Sequence, residues 1–164
     1  MLLITIGCLQ TSQAKAQTTP DTADLTTAFV YNFMVFAKWP VISSKQLNLC
    51  IAGQNRDSLQ LQKLQGKTVQ KRQVQIIPVT DAAELWQCQT LFVAASQYAD
   101  LLDAAPAYPL LSITNIIPDN GRAAALQLAT VNGRLIFDVN LQHLKQSGVN
   151  LSASVLRLAR RSTQ

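Results

Sequence analysis

The chain has 164 residues, 48% hydrophobic and only 14% charged, with a net charge of +5, three Cys and one His. That length suits one domain that buries its own core; the hydrophobicity excludes a disordered chain, and the lack of repeated apolar runs of about 20 residues excludes a polytopic membrane protein. A multi-His catalytic or metal site cannot be built from His143 alone, and the basic balance of 14 against 9 reflects scarce acids more than abundant bases.

Met1 to Leu9 is almost wholly apolar, and Ala14-Lys15-Ala16 follows a short polar spacer. An apolar run ending in an A-x-A site predicts a secretory signal peptide over residues 1–16. The run is too short to span a bilayer. A lipoprotein acylated on Cys8 is the alternative, although Thr5 stands where such signals usually carry Leu. Residues 17–22 are polar, include Pro20 and predict a mobile tail, which leaves 23–164 as the folded domain. Losing the leader removes Lys15 and lowers the net charge by one. It also leaves Cys50 and Cys88 as an even pair in an oxidising compartment. Two readings of the pair stand. A disulfide would close a long loop and stabilise by roughly 4 kcal/mol in the chain-entropy model. Two buried free thiols in strands are the alternative; the even count favours the disulfide.

Asp21 or Thr22 can cap a helix beginning near Ala23. Leu25, Ala28, Phe29, Phe33, Phe36 and Ala37 follow helical spacing. Phe29 to Ala37 is apolar on nearly every side except at Asn32, so burial on more than one face is expected. Trp39-Pro40 ends the helix, because Pro restricts its predecessor. Strand and helix signals then alternate: a strand over 47–52, a weakly amphipathic helix over 57–65, and a strand over 74–79 whose Pro78 suggests an edge or a terminus. Asp81 caps a short helix through Trp86, 90–95 is an apolar strand, Ser96 caps a helix through Ala104, and 110–114 is another strand. Apolar strands separated by helices imply right-handed βαβ units around a parallel sheet. The pattern breaks at 125–131 and 134–139, two strands joined by Asn132-Gly133, the strongest short hairpin signal. A short helix over 141–146 ends at Gly148. Ser152 caps a last helix carrying Val155, Leu156, Leu158 and Ala159, with Arg157, Arg160 and Arg161 suited to its C-terminus. The expected fold is a single three-layer α/β domain with a mostly parallel sheet and a C-terminal antiparallel hairpin.

No enzyme motif is visible, and no cofactor or metal is expected. Gly53-Gln54-Asn55 sits where a phosphate loop would follow the first strand, but the dinucleotide fingerprint needs three glycines and one is present; a plain turn is the favoured reading. His143 has no nearby Ser or Cys nucleophile in sequence and reads as a surface His. Asp100 and Asp103 read as one solvated helix face. Lys63, Lys67, Lys71 and Arg72 cluster in sequence; solvated loops are favoured over lipid headgroup contact, and an exported protein seldom meets nucleic acid. In the first helix, Tyr31, Asn32 and Trp39 stand out. A buried Asn needs partners, so core packing is favoured for the three; a surface for a partner or ligand is the functional reading.

Five segments in order resemble a known family. They are Phe29-Val30-Tyr31-Asn32-Phe33-x-x-Phe36-x-x-Trp39-Pro40; Leu49-Cys50-Ile51-x-Gly53; Cys88-x-x-Leu91-Phe92-Val93-x-x-Ser96; Gly133-Arg134-Leu135-x-Phe137-Asp138-Val139-Asn140-Leu141; and Leu151-Ser152-x-x-Val155-Leu156-Arg157-Leu158-Ala159. Together, from about Ala23 to Arg161, they resemble the YfiR-like family of small exported bacterial proteins. The resemblance implies a compact α/β fold in the periplasm, often dimeric. It implies a regulator that binds the periplasmic domain of an inner-membrane diguanylate cyclase and represses it, lowering cyclic-di-GMP and biofilm growth. It implies a disulfide between Cys50 and Cys88, where the family's pair falls. A second Cys pair of some relatives is absent, and Gly121-Arg122-Ala123-Ala124 replaces their Gly-Gly-Met-like element. A small-molecule-binding sensor domain is the competing reading, because parallel α/β sheets offer a crevice at their strand ends.

Overall fold

The computed structural model describes residues 21–40, 42–117 and 122–163. The expected leader, the A-x-A site and Cys8 lie outside the described residues, as does most of the expected tail. The last two tail residues are ordered: Asp21 is the N-cap of α1 (Thr22–Phe36), its carboxylate accepting from the Ala23 N–H, and Thr22 opens the helix.

The helix ends earlier than Trp39-Pro40 implies. Ala37 and Lys38 are extended as β1 (Ala37–Lys38) and pair antiparallel with β9 (Asn150–Leu151). The buried positions of α1 are Ala23, Thr26, Val30, Phe33 and Met34, a single stripe; Ala28, Asn32 and Phe36 are exposed. Its last carbonyls find a partner the sequence did not announce. The side-chain amide of Gln70 donates to the carbonyls of Met34, Val35 and Ala37 at 3.0, 3.0 and 2.7 Å. Unpaired C-terminal carbonyls of a helix need such donors.

The main sheet has the order β10-β8-β7-β6-β5-β2-β4-β3. Within it β2 (Gln46–Ala52) is flanked in parallel by β4 (Arg72–Pro78) and β5 (Thr90–Val93). The next strand, β6 (Leu111–Thr114), is parallel to β5, and β7 (Leu126–Val131) is parallel to β6. The hairpin of β7 with β8 (Arg134–Asn140) is antiparallel, turning at Asn132 and Gly133 with φ of 50° and 73°. Both residues occupy the left-handed region that a two-residue hairpin turn demands. Pro78 closes β4, a position that costs no ladder donor inside the sheet.

Side-chain alternation along β2 sends Leu47, Leu49 and Ile51 to one face and Cys50 and Ala52 to the other. The first face packs under α1, α2 (Arg56–Leu61) and α4 (Leu141–Ser147) through Val30, Phe33, Met34, Leu61 and Leu144. The second packs under the 3₁₀ segment Ala82–Gln87 and α3 (Asp100–Ala104) through Leu85, Leu101 and Leu102. The sheet thus lies between two helical layers. Cys50 and Cys88, both buried, form a disulfide in the second layer, closing a 38-residue separation. The chain-entropy model puts that at about 4 kcal/mol.

Three further departures are physical. Ser96 makes no capping hydrogen bond, and its segment starts as a 3₁₀ turn, Ser96–Tyr98, before α3. A short hairpin, β3 (Thr68–Val69) with β4, turns through Gln70 and Lys71 at φ of 49° and 65°, with neither Gly nor Asn to signal it. The last helix, α5, spans only Ala153–Leu156; Arg161–Thr163 is strand β10, parallel to β8. Ser152 caps α5 as expected and Arg157 is its C-cap residue, but Arg160 and Arg161 lie beyond it. The Arg160 N–H donates to the Phe137 carbonyl, and the Arg160 guanidinium pairs with Asp138. Edge pairing wins over local helix propensity there.

Candidate partner surface

Two turns of α1 supply Phe29, Phe33 and Phe36, spaced so that they share a helix face. Phe29 and Phe33 meet edge to face at 5.8 Å, and Phe137 of β8 closes the trio at 6.0 and 4.9 Å. Such aromatic pairs contribute about 0.5–1.5 kcal/mol each beyond their buried area. Val155 and Leu158, from α5 and the residues after it, form the opposite wall. Between the walls lies an apolar groove of about 310 Å³. Its floor, Phe33 and Phe137, is core; its rim is not, since Phe36 is 45% and Leu158 76% exposed. Asn32 is the one polar residue of the lining.

The three residues singled out in the first helix are placed at three different points. The Tyr31 hydroxyl donates to the Thr68 carbonyl at 3.2 Å and ties α1 to the sheet edge. The Trp39 indole N–H donates to the Gln89 carbonyl at 2.6 Å, while its ring packs on the core. Asn32 is not the buried, partnered amide of the core reading; it is exposed on the groove. The sequence signal for the groove is the spacing of Phe29, Phe33 and Phe36; the contribution of Phe137 and Leu158 depends on long-range folding and has no local signal.

Charge near the groove is basic. Arg157 and Leu158 are adjacent and exposed, and Arg160 follows. Arg160 grips Asp138, and that hydrogen bond holds the Asp138 carboxyl below the ordinary carboxylate range, against the opposing effect of burial.

The remaining candidates serve structure. Asn55 of Gly53-Gln54-Asn55 is the N-cap of α2, in a capping box with Ser58. Lys63 pairs with Asp24 at 3.0 Å, and Arg72 donates to the carbonyls of Ser44, Gln70 and Ile42; Lys67 and Lys71 are exposed. Asp100 and Asp103 are not a free face: Arg122 bridges them at 2.6 and 2.8 Å. His143 is half-buried rather than a plain surface residue, with its Nδ1 enclosed and unpartnered among the described residues, and burial lowers its pKa. Among the described residues no group of three His, Cys, Asp or Glu side chains is placed to hold a metal. No helix there is long and apolar enough to cross a membrane.

Compared with known proteins, residues 23–160 match a family model described as YfiR/HmsC-like. No curated protein gives a significant match. Among solved structures, a conserved domain protein from Vibrio cholerae O1 biovar El Tor superposes with a TM-score of 0.55 at 10% identity, over 84% of this chain and 60% of that one. The chain spans about 60% of that relative, and the likeness is one of fold.

Proposed function

Because the chain belongs to the YfiR/HmsC-like family, we propose that it is an exported, periplasmic regulator that acts by contact rather than catalysis. Its partner is the periplasmic domain of an inner-membrane diguanylate cyclase, which it holds inactive so that cyclic-di-GMP stays low. The observation that carries the reading is the family match across nearly the whole folded chain. The groove supports it physically. An exposed Phe and Leu flanking an apolar floor form the kind of surface that association buries. Asn32 supplies a hydrogen-bonding group at its centre, and the neighbouring Arg157 favours a partner segment that pairs apolar side chains with acids.

Deleting the gene and restoring it in the same strain tests the role. Loss should raise cellular cyclic-di-GMP and surface attachment, and the restored wild-type protein should reverse both. Unchanged cyclic-di-GMP in the deletion strain would contradict repression. A variant carrying Phe36→Asp and Leu158→Asp should accumulate normally yet fail to restore. Restoration by that variant would move the contact elsewhere on the protein.

A further inference from the structure

A second concavity lies far from this groove in the chain, at the C-terminal ends of β2, β4 and β5. The connection leaving β2 enters α2 on the face covered by α1, whereas the chain leaving β5 runs to Leu101 and Leu102 on the opposite face. Neighbouring parallel strands whose connections part in this way open a crevice beyond their carboxyl ends, where ligands of open α/β sheets sit. Here the crevice is a cleft of about 650 Å³, within the range of small-molecule sites. Gly53 sets its edge. It turns at φ +85°, and a Cβ there would stand 2.6 Å from the Ala95 Cβ and 3.2 Å from the Tyr98 ring. Only glycine lets β2 turn away with Tyr98 seated against it.

We propose that this cleft binds an uncharged saccharide. Its apolar lining comes from Ile51, Ile76, Pro78 and Val79. Its polar lining includes the amides of Gln54, Gln62 and Gln97 and the hydroxyls of Thr80 and Tyr98. None of these five side chains makes a hydrogen bond among the described residues, so their capacity is available to a ligand. Among the described residues no Asp, Glu, Lys, Arg or His lines the cleft. A phosphate or carboxylate would lose hydration there and gain no counter-charge. A purely apolar ligand would leave the amides facing it unpaired. A neutral sugar suits both parts. Each glutamine amide can donate and accept, as adjacent ring hydroxyls require. The C–H face of the ring can lie on the aliphatic residues and the tyrosine. The cleft and the groove share no lining residue, so this site stands or falls apart from the repressor reading.

The test is a titration of the purified protein with the disaccharide of N-acetylglucosamine and, separately, maltose, read on side-chain amide NMR signals. A nucleoside monophosphate and glutamate serve as charged comparators. At least one sugar should shift the Gln54, Gln62 and Gln97 amides saturably, and the charged probes should not. Gln62→Ala and Gln97→Ala should each weaken that binding about fivefold, the effect of one hydrogen bond, with the melting temperature unchanged. No saturable shift with either sugar would overturn the proposal. So would saturation of the same amides by a charged probe, or sugar binding that both variants leave intact.

Discussion

The groove and the cleft differ in what their walls can do. The groove is aromatic and aliphatic, with Asn32 the one polar residue of its lining; it suits a protein surface that brings its own apolar side chains. The cleft is uncharged but rich in amides, and a partner must bring hydrogen bonds rather than bulk. They also differ in how they are tied to stability. The groove floor is part of the main core, whereas Gln54, Gln62, Gln97 and Thr80 of the cleft are exposed and their side chains make no hydrogen bond among the described residues. A surface that doubles as core cannot vary freely at its base, only at its rim.

That contrast can be broken by mutation. Phe33→Ala should cost about 3–5 kcal/mol, the usual range for emptying a buried Phe site, read by denaturant unfolding. A loss under about 1 kcal/mol would mean the floor is not core. At the cleft edge, Gly53→Ala should cost on the order of 1–3 kcal/mol, because a side chain is strained at positive φ and meets Ala95. Unchanged stability there would remove the glycine's proposed role. Gln70→Ala should cost about 1 kcal/mol by freeing the α1 carbonyls, measured in the same way.

The pH response should separate two groups. His143 has a lowered pKa when folded, so its stabilising neutral state is present above its unfolded value near pH 6.5 and is lost as pH falls through the lower folded value. Melting temperature should therefore decline through mild acid, and His143→Gln should flatten that decline. Asp138 acts further down: its stability is present above the ordinary carboxylate range and is lost as pH falls through its depressed value. Asp138→Asn should blunt only that more acidic loss. The smallest effect belongs to the rim, where Phe36→Ser and Leu158→Ser should change stability by no more than about 0.5 kcal/mol.

How much was legible in the sequence follows the range of the interactions. The central strands are readable because the apolar runs at 47–52 and 90–95 are local signals of a sheet buried on both faces. The hairpin was readable because Asn132-Gly133 has few alternatives. The stretch after Ser152 was misread because its apolar spacing fits a helix, while the pairing of β10 with β8 and the Arg160–Asp138 contact are set 22 residues away in sequence. The turn at Gln70 and Lys71 was silent for the same reason: its positive φ values accompany a side-chain bond to a helix more than 30 residues earlier. Asn32 has apolar neighbours in sequence, which favours core packing, yet on α1 it shares a face with Phe36, not with Val30 and Met34.

The central claim, that the groove holds a cyclase's periplasmic domain, is tested most directly by calorimetric titration. The purified protein would be titrated with the periplasmic domain of an inner-membrane diguanylate cyclase of the same organism, alongside the Phe36→Asp, Leu158→Asp variant. The wild type should bind saturably and the variant about tenfold or more weakly, at an unchanged melting temperature. Equal binding by both proteins, or none by the wild type, would contradict it.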